Sequence, residues 1–315
     1  MRPPRRTAIL RSKAFLGHDT GAHVERAARL VAIERELERR GLVGDRPEIP
    51  CTAASDAAVL RVHDPDHLAR LRKWTAGGGG WIDPDTVMRE DSLEVALTAA
   101  GGAVNAVTAI VSGSIDHAFL VARPPGHHAT ADTAMGFCLL NTVAIAAGEA
   151  LALGLRRIAI IDWDVHHGNG TQDIFYGSSD VLYCSLHQSP FYPGTGSAGQ
   201  TGTGDGKGFT VNCPLPAGTT DGTFLQSFRD RVVPAVEAYS PELVIVSAGY
   251  DASEHDPLGG MLLTREGFRT LMAETIATAD RHAGGRVLAV LEGGYDPQAL
   301  AGCVADAIEV LDRSG

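Results

Sequence analysis

The chain has 315 residues, 44% of them hydrophobic and 21% charged, with a formal net charge of -11. That is the composition of a globular protein with enough apolar residues for one large core, not of a disordered or fibrous chain. The negative balance argues against a phosphate-binding surface, so no direct nucleic-acid partner is expected.

The basic start "MRPPRR" is followed by Arg11, Lys13 and His18, which interrupt any apolar signal-peptide core. No window reaches the ~18 uninterrupted apolar residues of a membrane span. Five single cysteines (Cys51, Cys138, Cys184, Cys213, Cys303) form no CxxC pair and read as reduced thiols. The expectation is a cytoplasmic protein that does not use a membrane.

Short β-branched runs alternate with helical patterns along the chain. The first strand is predicted at 7–10, followed by a helix at 25–40. A glycine run at 76–81 precedes a helix at 92–113, where Ala96, Ala99, Ala100, Ala103, Val104 and Val107 recur at helical spacing. A strand at 117–122 leads to a helix at 141–154, which Asn141 would cap. Strands follow at 157–162, 181–186 and 209–215, the last preceded by a glycine-rich surface loop at 194–208. A helix at 221–239, a strand at 243–248, a helix at 264–284, a strand at 286–291 and a helix at 296–313 complete the pattern. Strands apolar on both faces and separated by helices predict a mainly parallel sheet covered on both sides. With no repeat and no charge block, residues 1–315 read as one three-layer α/β domain.

The unusual residues collect after strands. "ARPPGHHA", "DWDVHHGNG", "SLHQSPFYPGTG", "SAGYDASEHDPLGG" and "LEGGYDP" each follow a predicted parallel strand. The carboxyl edge is where open α/β sheets place their ligand sites, so five loops should converge on one crevice.

Asp164 and His166 stand two apart at a strand end and can point to the same side. A carboxylate and an imidazole so placed can share a metal, with Asp256 as candidate third ligand. Three protein ligands and an open position describe a catalytic zinc site, and the same set would accept iron(II) or cobalt(II). A buried ion pair would explain Asp164 and His166 alone, but not the crowd of Asp162, His167, His127 and His128 beside them. His127 and His128 suit acid–base work, with Asp162 and Asn169 available to hold their second ring nitrogens. A carboxylate raises imidazole basicity more than an amide does, so an Asp-held and an Asn-held histidine should differ in proton affinity. Tyr295 could donate to an oxyanion, while Phe137 and Tyr192 could wall a narrow slot. Each of these three could also be a core aromatic.

These blocks, with "GFCLLN" and "HDTGAHVERAARLVAI" (18–33), together resemble the signatures of the histone deacetylase family. The likeness is to its class II branch, with the bacterial deacetylase-like amidohydrolases and acetylpolyamine amidohydrolases, and spans residues 18 to about 300. It implies an arginase-like α/β fold with about eight strands. It also implies that Asp164, His166 and Asp256 hold zinc and that Asp162 and Asn169 back the tandem histidines. Tyr295 would polarise the amide carbonyl. Phe137, Tyr192, Gly136, Thr86 and Leu263 would contact substrate. Tyr192 departs from the family's usual phenylalanine. Arg26 would lie near the foot of the tunnel, although "VERAARL" lacks the family's prolines. Structural potassium is implied near Asp162, Asp164, His166, Ser185 and Leu186, with another ion near Phe175.

The expected activity is hydrolysis of an acyl group from a lysine side chain, in a peptide or protein, or from a small primary amine. Acetylpolyamine hydrolysis is the alternative: no acid follows Asp256 in "DPLGGMLLT", yet Asp83, Asp85, Glu90 and Asp91 precede the first long helix. A non-catalytic acyl-lysine binding protein is a third reading, disfavoured by the complete set of polar residues. Homo-oligomerisation is left open.

Overall fold

The computed structural model describes residues 5–313. The edge strand β1 (Thr7–Leu10) is followed by helix α1 (Ala28–Arg39). Two short helices, α2 (Asp56–Val59) and α3 (Pro65–Ala76), lead to a small antiparallel hairpin, β2 (Gly80–Trp81) and β3 (Val87–Met88). Then come α4 (Ser92–Val111), β4 (His117–Leu120), α5 (Thr142–Ala152), β5 (Ile158–Asp162), α6 (Asn169–Phe175), β6 (Val181–Gln188) and β7 (Thr210–Leu215). The chain ends with α7 (Asp221–Ser227), α8 (Val233–Tyr239), β8 (Leu243–Ala248), α9 (Arg265–His282), β9 (Val287–Leu291) and α10 (Pro297–Arg313).

Seven strands form one parallel sheet in the order β1-β4-β9-β8-β5-β6-β7. All seven lie where the β-branched runs predict them, and among the described residues the main sheet has seven strands against the about eight that the resemblance implies. β5 shows why: every residue of "IAIID" is buried, as a central strand covered on both faces requires. α4 and α5 pack together against the central strands, and α10 packs against both α1 and α9. α4 is long and apolar enough to cross a membrane, but 67% of its apolar window is buried inside the domain. Its small residues allow close approach: a Cβ at Gly101 would lie 1.8 Å from the Thr52 carbonyl oxygen.

The predicted helix 221–239 is divided. Residues 228–232 form a π turn between α7 and α8, and Pro234 sits in the first turn of α8. Proline has no N–H to return to the preceding turn, so the register shifts there. α3 and the hairpin were not predicted. For α3 the signal exists: Pro65 opens the helix, and His67, Leu68 and Leu71 bury one face.

The sheet order carries the functional consequence. The five loops rich in polar residues leave β4, β9, β8, β5 and β6, which are consecutive neighbours in the sheet. Their carboxyl ends therefore form one continuous edge.

Candidate active site

The loop after β4 delivers two histidines that are wholly enclosed, with ring centroids 4.0 Å apart. His127 Nδ1 donates to Asp162 Oδ2 at 3.1 Å, and the Tyr183 hydroxyl donates to the same oxygen at 3.0 Å. His128 Nδ1 donates to Asn169 Oδ1 at 2.8 Å. Burial alone would lower both imidazoles. For His127 the carboxylates of Asp162 and Asp164 outweigh it and lift the ring to about 10. For His128, burial and the His127 and His166 charges hold the ring well below its ordinary value. The Asp-held ring is thus pushed up and the Asn-held ring pushed down in proton affinity.

β5 ends at Asp162, and the turn that follows places Asp164 and His166 side by side. His166 Nδ1 lies 3.0 Å from Asp164 Oδ1 and 3.2 Å from Asp251 Oδ2. Among the described residues, Asp164, His166 and Asp251 are the trio whose donor atoms all fall within 4.8 Å of one another. Asp256 is outside that tight trio. Its Oδ2 accepts the Tyr295 N–H at 2.6 Å and its Oδ1 accepts the Leu258 N–H at 2.9 Å. Burial, and the Asp164 charge beside them, push both Asp251 and Asp256 up, Asp251 to about 7.

Gly293 threads between these groups: a Cβ there would stand 2.0 Å from Asp251 Oδ2 and 2.5 Å from Asp164 Oδ2. No other residue could pass the chain so close to two carboxylates.

Above them opens a slot of about 240 Å³. His127, His128 and His166 line it with Gly136, Phe137, Tyr192 and Tyr295, and with Asp85, Phe191 and Leu258, which the sequence did not single out as wall residues. Phe137 stands edge-on to Tyr295, with centroids 5.9 Å apart, and Tyr192 stands edge-on to His128 at 5.1 Å. Phe137 has φ of 69°, a left-handed conformation that side chains rarely adopt and that marks a constrained position. Gly136 is needed for contact, since a Cβ would lie 2.5 Å from His128 Cδ2. Burial raises the Tyr295 phenol well above its ordinary value, so it remains a hydrogen-bond donor at any working pH.

Residues 23–311 match the family model described as histone deacetylase domain. The chain belongs to the histone deacetylase family. It is 40% identical over 292 residues to a probable deacetylase of Archaeoglobus fulgidus, covering 92% of this chain and 81% of that one. A histone deacetylase-like amidohydrolase of Pseudomonas aeruginosa is 42% identical over 260 residues, covering 82% and 68%. The crystal structure of the HDA15 HD domain superposes with a TM-score of 0.92 at 36% identity, covering 97% of this chain and 88% of that one. As a deacetylase-family protein, this chain is a hydrolase with a single α/β domain.

Four expectations change on contact with the structure. Arg26 is exposed, while Arg29, three residues later, is buried with its guanidinium 5.0 Å from the Tyr295 ring centroid. α1 begins only at Ala28, so Arg26 lies in the irregular segment before it, while Arg29 sits in its first turn and faces inward. Thr86 is fully buried, accepting the Phe137 N–H at 3.1 Å, so it fixes a slot wall from behind, and its neighbour Asp85 lines the mouth. Leu263 is buried with its N–H on the Ala252 carbonyl, and Leu258 occupies the slot wall in its place. Asp251, quoted only as part of its block, enters the cluster. A carboxylate followed five residues later by another in one loop was the available signal.

Of the residues implied for potassium, Asp162 and Ser185 are register partners on neighbouring strands, and Leu186 is fully buried beside them. Ser185 Oγ is 2.9 Å from His187 Nδ1. Phe175 closes α6 and packs into the apolar core.

Proposed function

We propose that this deacetylase-family hydrolase is zinc-dependent and removes acetyl or other acyl groups from lysine side chains. The observation that carries the reading is the pairing of an Asn-held His128 with an Asp-held His127 on one slot that Tyr295 also lines.

The carboxylate cluster fits a divalent cation. Asp251 Oδ2 is buried without a hydrogen-bonded partner, although it lies 3.2 Å from His166 Nδ1. Ligands of tetrahedral zinc, bound at ~2.0–2.1 Å, stand about 3.3 Å apart, close to the 3.0 and 3.2 Å from His166 Nδ1 to Asp164 and Asp251. Asp164, His166 and Asp256 would hold the ion. Asp256 is favoured over Asp251 because its bonded neighbours, Tyr295 and Leu258, both line the slot, which puts it on the cluster's open side. Iron(II) or cobalt(II) would suit the same donors. Bound there, the ion would supply Lewis acidity and a lowered pKa for water. Structural potassium at Asp162 and Ser185 is proposed on the resemblance alone.

The chain's own groups do the rest. Phe137 and Tyr192 admit an extended alkyl arm and exclude bulk water. His128, its Nδ1–H on Asn169, keeps the Nε2 lone pair to take a proton from the attacking water. His127 stabilises the developing charge and supplies a proton toward the leaving amine. Tyr295 donates its hydroxyl hydrogen to the carbonyl oxygen as charge builds there.

A second reading, acetylpolyamine hydrolysis, has its own support. Asp85 lines the mouth with Asp83 beside it, and burial and that neighbour push the Asp85 carboxyl up to about 6. Two acids at the entrance suit a distal ammonium. Turnover of acetyl-lysine peptides, longer acyl-lysines and acetylated polyamines by metal-loaded protein tests both. Polyamine turnover with no peptide turnover selects the second, and no turnover of any of them defeats the pair.

A further inference from the structure

The turn after β9 fastens a different part of the site at each of four consecutive residues. The Gly293 N–H donates to Asp164 Oδ2 at 2.8 Å, and the Tyr295 N–H donates to Asp256 Oδ2 at 2.6 Å. The Gly294 carbonyl accepts from Arg29 Nε at 2.6 Å. Glu292 reaches the remaining element. Its Oε2 accepts the Gly126 N–H at 2.6 Å and the His127 N–H at 3.2 Å.

Glu292 is wholly buried, its Oε1 has no partner, and it does not line the slot. A carboxylate in that setting is costly, and an apolar side chain would fill the same space more cheaply. What an apolar residue could not do is hold two successive N–H groups of the histidine loop. That loop has little freedom elsewhere, because a Cβ at Gly126 would already stand 2.7 Å from the Thr142 nitrogen and 2.9 Å from the Leu140 oxygen.

We propose that Glu292 is a positioning residue that ties the Gly126–His127 backbone to the Tyr295 turn, keeping the proton-transfer histidines and the phenol in register. This rests on the amidohydrolase reading given above. Misplacing reacting groups by a fraction of an ångström lowers the chemical step more than binding.

Three variants test it. Glu292→Gln keeps an oxygen at the same reach, and its kcat stays within about threefold of the parent. Glu292→Asp falls one methylene short and Glu292→Ala removes the acceptor; each loses about 10–100-fold in kcat with KM within about twofold. Amide exchange at residues 126–127 accelerates in the Asp and Ala proteins and stays parental in Gln. In the Ala background, Tyr295→Phe costs less than in the parent, because the phenol is already out of register. A group with only a structural role would lower the melting temperature and leave kcat and this coupling unchanged.

Asp and Ala variants with parental kcat and parental exchange overturn the proposal. So does a Gln variant as impaired as Ala, since the acceptor is retained. If the Ala protein does not fold, the Asp and Gln pair decides alone. If the parent hydrolyses no acyl amide, the amidohydrolase reading falls, and exchange at residues 126–127 still decides the tie.

Discussion

The main-chain N–H of Tyr295 donates to Asp256 Oδ2 at 2.6 Å, so the phenol and the proposed third metal ligand are held by one bond across 39 positions of chain. Removing Asp256 therefore has two effects, loss of a donor to the metal and release of the Tyr295 backbone. Asp256→Ala is expected to lose most of its metal and nearly all activity, by elemental analysis and steady-state rates. Asp251→Asn should keep more metal than Asp256→Ala. The reverse order would assign the third ligand to Asp251, as the tight trio taken alone suggests.

Tyr295→Phe separates the phenol from the bond its backbone makes. The main-chain N–H to Asp256 survives and the ring still packs against Phe137. Loss of a donor that acts in the transition state should reduce kcat by ~10²–10³, with metal content unchanged. A variant within threefold of the parent rate, folded and metal-loaded, would return Tyr295 to a packing role.

Asn169→Asp tests the assignment of the neutral base. A carboxylate on His128 Nδ1 would raise the ring's proton affinity, opposing the burial and like charge that now lower it. His128 works as a base only when neutral, so the acid limb of kcat/KM should move to higher pH, by about one unit or more. Activity on the acid limb should fall and recover as pH rises. An unmoved limb would mean that His128 does not set it.

The sheet was legible because each strand is a short apolar run with a polar loop at its carboxyl end, and hydrophobic periodicity reports both. Asp162, His127 and Asn169 were legible for a related reason: Asp162 ends β5, and the other two lie in the segments that follow β4 and β5 at the same sheet edge. Arg29 was misassigned to Arg26 because α1 begins at Ala28, and helical phase cannot be read across an irregular start. Thr86 was placed on the rim, where Asp85 stands instead, because both lie in the loop of a hairpin of two-residue strands, where alternation has too few positions to set a face. Glu292 gave no local signal. Its partners lie 165 and 166 residues away, and only the crossover that seats β9 beside β4 brings them together.

Buried neutral histidines predict acid sensitivity away from the metal. His63 Nε2 accepts the Asn141 N–H at 2.9 Å, and Asn141 in turn caps α5 through the Ala144 N–H at 3.0 Å. A protonated ring could not accept that bond, and burial together with the nearby His67 lowers His63 to about 4 from an ordinary 6.5. The unfolded chain thus binds the proton more readily than the folded one. The contribution is complete above about pH 6.5 and is lost progressively as pH falls toward 4. At pH 5 the loss for this one group is about 2 kcal/mol, at ~1.4 kcal/mol per pH unit. His18, also held near 4 by burial, adds a similar slope. His63→Gln retains a donor and an acceptor but cannot titrate. Its urea-denaturation free energy should fall less between pH 7 and pH 5 than the parent's, and the difference cancels any common loss of metal. Equal slopes for the two proteins would show that His63 already carries its proton, or loses it at no cost, in the folded state.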